Sequence, residues 1–167
     1  MKELSSKEAM SKLKPELCVF VLSVDKNNRP NGMIAGWFIK CSFNPPLVAV
    51  CLKNNKNTQK LIRHSKEFVI AVANKDLERE VRLFGNVSGA DVDKFEKSKI
   101  ETIESKYLKT PLLKQATFNY ECKLVKEVEV GDHIMFIGEI LIAYCNENKK
   151  VLLNMKKFDG IRYFEEF

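Results

Sequence analysis

The chain has 167 residues, 45% apolar and 30% charged, which is enough for one domain with a full core and is not the balance of a disordered or disulfide-stapled polypeptide. No run approaches the roughly 18 uninterrupted apolar residues of a membrane span, and residues 1–6 lack the apolar core of a signal peptide, so a single domain over residues 1–167 in the cytoplasm, with no membrane partner, is expected. A net charge of +6 would suit an anionic partner, yet basic and acidic residues are interleaved, as in Lys75-Asp76-Leu77-Glu78-Arg79-Glu80-Val81-Arg82, and no nucleic-acid-binding module is present.

In chain order, residues 4–14 read as a polar, helical lead-in, capped by Ser5 or Ser6 ahead of Glu8 and ended by Pro15. Residues 17–24 are a buried strand, and the turn cluster at 25–30 returns it as a hairpin into a second strand over 32–40. A corner at Ser42-Phe43-Asn44-Pro45 leads into a third strand over 46–53. The second and third strands are apolar at nearly every position, and Gly32, Ala35 and Gly36 leave bare backbone there, as a barrel corner or the close approach of a flat ligand requires. After them comes a helix starting near Asn57 and Thr58, with Asn or Thr at the capping position. Its N-terminus can serve as an ordinary capped end or as a phosphate site to which Lys53 and Lys56 add charge.

Residues 67–74 are a fourth strand, and 76–84 a helix with Leu77, Val81 and Phe84 on one stripe, stopped at Gly85. Residues 88–98 hold a short charged helix, and the irregular stretch over 99–116 is expected to be a lid. A long hairpin joins 117–130 to 133–145 through Gly131-Asp132, with Val125 breaking the alternation as a bulge does. One more strand over 151–155 and an aromatic tail packing on a neighbour complete the chain.

Five scattered cysteines (Cys18, Cys41, Cys51, Cys122 and Cys145) include no C-x-x-C pair, which excludes a disulfide framework, a zinc ribbon and a thioredoxin-type site. Four of them sit in apolar strand contexts and read as small hydrophobes; Cys51 is the exception. Phosphate-binding glycine loops, the H-E-x-x-H and G-x-S-x-G signatures and acidic metal clusters are all missing from the sequence. Chemistry carried by a bound cofactor needs few catalytic side chains and is compatible with such a sequence.

Asn31-Gly32-Met33-Ile34-Ala35-Gly36-Trp37 and Ser42-Phe43-Asn44-Pro45-Pro46-Leu47-Val48-Ala49-Val50 resemble the flavin-contacting core of the flavin reductase-like family. The resemblance is to the flavoredoxin and ferric reductase group of FMN-binding split-barrel proteins. Gly131-Asp132-His133 with Phe136-Ile137-Gly138-Glu139-Ile140 is similar to that family's late hairpin, and Phe84-Gly85 with residues 88–95 to its middle segment. The resemblance implies a mainly β fold, a six-stranded antiparallel Greek-key split barrel with peripheral α-helices. It also implies a homodimer with FMN near the subunit interface and NAD(P)H as electron donor.

Carried over by position, the flavin contacts are Asn31, Ile34, Ala35, Gly36, Trp37, Cys51, Leu52, Lys53, Asn57 and Thr58, with Phe84 a wall beside the ring system. Many relatives have Thr or Ser where this chain has Ala35 and Gly36, so backbone N–H groups must replace those hydroxyl contacts. Cys51 and His133 match a Cys and a His of the ferric reductase group and are candidates to line the nicotinamide or acceptor side. The alternative for them is structural, with His133 closing the hairpin and Cys51 filling space. Three classes stay open: an NAD(P)H-dependent flavin or ferric reductase, an FMN electron carrier reduced by a partner protein, and a basic binding module without redox chemistry. A small molecule or a redox protein is the expected electron acceptor.

Overall fold

Two strands without a polar face hold the centre of the fold in the computed structural model, which describes residues 1–167. The first half of the chain contains helix α1 (Ser6–Lys12), strands β1 (Glu16–Leu17), β2 (Val19–Val24), β3 (Pro30–Ala35), β4 (Phe38–Phe43) and β5 (Pro46–Lys53), helix α2 (Asn57–Ser65) and strand β6 (Glu67–Val72). A 3-10 turn (Lys75–Leu77) then leads into helices α3 (Glu78–Asn86) and α4 (Lys94–Ser98) and the short strands β7 (Thr102–Ile103) and β8 (Leu112–Leu113). The long hairpin β9 (Phe118–Val130) and β10 (His133–Cys145) and the strands β11 (Leu152–Phe158) and β12 (Ile161–Glu166) end the chain.

Strands β2 and β6 are the two at the centre. Val19, Val21, Ile70 and Val72 face the barrel interior with Val50, Leu52, Ile62 and Phe136. Phe20, Leu22, Val69 and Ala71 face an outer layer built from Val81 and Phe84 of α3 and Leu112 and Leu113 of β8. Burial on both faces explains why these runs show no alternation, and each large side chain so buried contributes about 1.5–3 kcal/mol.

Seven antiparallel strands pair in the order β3-β2-β6-β9-β10-β5-β4. The edge strands β3 and β4 are consecutive in the chain, so Gly36 and Trp37 carry the backbone from one edge to the other and close the barrel. The N–H of Phe38 donates to the Gly36 carbonyl (3.1 Å), and that of Cys51 to the Trp37 carbonyl (2.9 Å). This crossing corrects the expected strand count. The apolar stretch 32–40 is two strands, broken where Gly36 lies so close to Glu16 that a Cβ would sit 2.6 Å from its carboxylate. At the following corner, Ser42 and Phe43 belong to β4 and only Asn44 and Pro45 turn the chain.

Two further expectations are revised. Residues 99–116 are not a lid: β7 pairs with β8, and Leu112, Leu113 and Ala116 are buried. Between them, Glu121 accepts the N–H groups of Lys106 and Tyr107 (2.8 Å each), and Glu67 those of Lys109 and Thr110 (2.8 Å each). The aromatic tail, by contrast, forms the hairpin β11–β12, which joins β1 in a separate three-stranded sheet and packs Phe164 against the outer core layer, leaving Phe158, Ile161, Tyr163 and Phe167 exposed. Helix α3 runs through Gly85 to Asn86 rather than stopping at the glycine. The bulge does fall at Val125, since Ile137 pairs with Lys126 and Gly138 with Leu124. No helix is long and apolar enough to cross a membrane.

Candidate functional site

A cavity of about 300 Å³ opens where β3, the start of α2 and the end of α3 meet, with Gly32, Ile34, Lys56, Thr58, Gly85 and Lys94 among its walls. The capping position of α2 is Lys56, in extended conformation, with no side-chain hydrogen bond to the first turn. A lysine cannot accept, so neither Asn57 nor Thr58 forms the expected cap. The Gln59 N–H is taken by the Lys56 carbonyl (3.1 Å), which leaves the Asn57 and Thr58 N–H groups and the positive end of the helix dipole to the cavity.

Lys94 adds a buried cation. It opens α4, whose cap is Asp93 accepting the Glu96 N–H at 3.0 Å, and it is only 2% exposed. Its Nζ donates to the carbonyls of Gly32 (2.8 Å) and Phe84 (3.0 Å) and meets no carboxylate. Burial, with repulsion from Lys56 second, pulls its pKa down to about 8. Sequence reading missed this residue. The available signal was its position, since a lysine in the first turn of a helix opposes the dipole. Asn31 sits at the rim: its Nδ2 donates to the Gly89 carbonyl (2.6 Å) and its Oδ1 accepts the Gly32 N–H (2.7 Å), which holds the loop after α3 in place.

A second cluster lies on the outer face of β5 and β10. Register pairs His133 with Lys53 and Met135 with Cys51, so Cys51 and His133 are diagonal neighbours on one face. The His133 ring stacks on Trp37, with centroids 4.4 Å apart at 26°. His133 Nδ1 lies 2.6 Å from Asp132 Oδ1, an interaction that holds the Asp132 carboxyl below its ordinary range. Trp37 Nε1 donates to Glu16 Oε1 at 3.1 Å, so β1 helps set the indole, a role the sequence did not suggest. Burial, with Cys41 second, pushes the Cys51 thiol up, which keeps it a thiol rather than a nucleophilic thiolate.

Of the expected contacts, Ile34, Asn57, Thr58 and Phe84 line the cavity and Asn31 borders it. Trp37, Cys51, Lys53 and His133 form the outer cluster, and Gly36 lies at the crossing between edges. Ala35 and Leu52, 8% and 1% exposed, point into the barrel and can meet a ligand only through their backbone. Lys53 is not a cavity residue, so Lys56 and Lys94 supply the positive charge there. Phe84 is a core residue at the cavity floor, 1% exposed and packed edge-on against Phe20 and Phe95 at 5.2 and 5.4 Å, with no free face for a flat ring.

The family model described as the flavin reductase like domain matches residues 16–162. An uncharacterised protein of Archaeoglobus fulgidus is 42% identical over 120 residues, covering 72% of this chain and 68% of its own length. A ferric-chelate reductase (NAD(P)H) of the same organism is 31% identical over 137 residues, covering 80% of this chain and 79% of its own. Other relatives are matched over as little as 52% of their length, so they carry sequence this chain does not account for. The flavoredoxin of Desulfovibrio vulgaris (Miyazaki F) superposes with a TM-score of 0.85 at 23% identity, covering 100% of this chain and 93% of that one. The matched span takes in the Gly36–Trp37 crossing, the open start of α2 and the His133 hairpin, and the chain belongs to the flavin reductase-like family, with its split-barrel fold.

Proposed function

We propose that the protein is an FMN-binding oxidoreductase that takes electrons from NAD(P)H, as a flavin or ferric reductase does. The observation that carries this reading is the convergence of the uncapped α2 N-terminus and the buried, carboxylate-free Lys94 amine on one cavity. Free N–H groups, a positive dipole end and a desolvated cation suit a phosphate, so the residues present fit the phosphate end of FMN. When bound, FMN supplies the electron-transfer chemistry, and the protein supplies binding, orientation and shielding. Asn57, Thr58, Lys56 and Lys94 would hold the phosphate, Asn31 fixes the loop at Gly89 beside it, and the backbone from Ile34 to Trp37 would contact the ring system. Cys51 and His133 line the side from which donor or acceptor approaches, His133 acting as a hydrogen-bond donor or positive charge. Hydride transfer leaves no proton on the protein, so orientation rather than base catalysis is what that side must provide. Relatives named as a ferric-chelate reductase (NAD(P)H) and an NADH-dependent FAD reductase support the enzyme reading.

The test is an anaerobic mixture of FMN-loaded protein with NADH or NADPH, followed by flavin absorbance. Bleaching by either nucleotide is expected. Bleaching by dithionite alone would favour the electron-carrier reading, in which a partner protein reduces the flavin. An absence of FMN binding would remove both. We also propose a homodimer: on edge strand β4, Ile39 and Phe43 are 55% and 92% exposed, beside the open apolar side of the barrel, and a second copy covers them.

A further inference from the structure

Helix α3 and the β11–β12 hairpin enclose another cavity, of about 190 Å³, lined in part by Arg82, Asn86, Lys157 and Arg162. Arg82 is held rigidly. Its Nε and Nη2 donate to Glu78 Oε1 (3.2 and 2.7 Å) and its Nη1 to the Arg162 carbonyl (3.2 Å). Its guanidinium also lies over the Phe164 ring at 4.8 Å. Glu78 already serves Lys75 as well, so this one carboxylate cannot neutralise the remaining charge.

Arg162 and Lys157 take part in none of the protein's ion pairs. Arg162 is half-buried, and its Nη1 lies so close to Gly85 that a Cβ there would be 2.7 Å away. The Arg162 guanidinium has no acceptor within the protein, so its donors are available to an acceptor that enters the cavity. Five N–H groups in a planar fork match the oxygens of a phosphate group, and a locked arginine, a free arginine, a lysine and an amide around one concavity complete the set.

Asn86 lines both this cavity and the one at the α2 N-terminus, so the two sites are neighbours across Gly85 and Asn86. We infer that the cavity between α3 and the β11–β12 hairpin is a second anion site, taking a phosphate group of a phosphorylated nucleotide that docks beside the flavin cavity. The identity of that nucleotide as the electron donor rests on the function proposed above; the anion site stands on Arg82, Lys157 and Arg162 alone.

Calorimetric titration of the flavin-free and FMN-loaded protein with pyrophosphate, 2′-AMP, 5′-AMP and 5′-ADP tests it. Binding of at least one probe is expected, weakened about tenfold or more by the double substitution Lys157→Gln and Arg162→Gln, with FMN affinity unchanged within about twofold. A preference for 2′-AMP over 5′-AMP identifies a nucleotide 2′-phosphate as the source, and one for 5′-ADP a pyrophosphate. If the double variant does not fold, Lys157→Gln alone, on an exposed side chain, should still weaken the preferred probe about threefold. Equal binding by wild type and variant, or no binding of any probe at millimolar concentration, overturns the site. Pyrophosphate binding retained in a protein that fails to bind FMN would sink the flavin reading and leave this one standing.

Discussion

Lys94 shows how one buried charge ties stability to ligand binding. With a folded pKa of about 8, below the roughly 10.4 of an unfolded lysine, the amine binds its proton more weakly in the folded chain. Stability should therefore rise as pH climbs from about 8 towards about 10.4, and the cost of the buried charge is fully present below that window. A phosphate in the cavity reverses the effect by favouring the ammonium, so FMN binding near pH 8 should take up a proton. Calorimetry in two buffers of different ionisation heat measures that uptake, and identical heats would count against the assignment. Lys94→Gln should weaken FMN by about ten- to a hundredfold while leaving riboflavin, which lacks the phosphate, nearly unaffected. His133 makes a different prediction. Its stack on Trp37 is worth about 0.5–1.5 kcal/mol, so His133→Ala should lower the melting temperature modestly, hold FMN affinity and slow flavin reduction by NAD(P)H. A variant that loses stability but is reduced at the wild-type rate would make the histidine structural.

At the scale of elements, the fold decides the start of α2, which its sequence leaves open, and pins the loop before β8, which its sequence misreports. The Asn- and Thr-rich run before α2 reads as either a capped end or a phosphate site, and Lys56 takes the capping position with no side-chain cap, after a strand β5 that stays paired with β10 through Lys53 and His133. The polar run within 99–116 reads as an irregular lid, yet the buried carboxylate of Glu121 and the carboxylate of Glu67 gather its N–H groups. No local pattern reports a partner that lies 14 or 43 residues away. Glu121→Gln should cost about 1–3 kcal/mol, by leaving buried groups short of an acceptor. Amide exchange at Lys106 and Tyr107 should speed up, while FMN affinity stays constant because the loop does not line the cavity. A change in FMN affinity would restore the lid reading. The hairpin β9–β10 was legible throughout, bulge included, because its turn residues and alternation are adjacent in sequence.

For the whole molecule, the open question is the exposed apolar surface along β4. Contiguous apolar patches beyond a few hundred Å² are unusual on monomers, and Phe38, Ile39, Phe118, Tyr120 and Ile140 line an open apolar groove, with Phe43 exposed at the end of β4. Light scattering at micromolar concentration should give twice the mass of the 19.2 kDa chain. Phe43→Asp, at a side chain with no role in the core, should shift the mass towards a monomer; a wild-type monomer would refute the assembly.

Taken by itself, the sequence determined which segments are strands and helices wherever the cause is local: apolar runs long enough for buried strands, the turn at Gly131 and Asp132, and the stripe of Leu77, Val81 and Phe84. It also carried the three ordered motifs of the family, because those motifs are contiguous. Tertiary structure alone decided the closure of the barrel, since residues 32–40 divide into two strands where β3 pairs with β2 and β4 with β5, at opposite edges of one sheet. It alone decided the charge of the cavity too. Lys94 is one of 28 lysines and arginines, and only folding removes it from water and from every carboxylate. Local pattern reports hydrogen bonding and polarity along the chain; desolvation and charge pairing depend on what the fold brings from elsewhere.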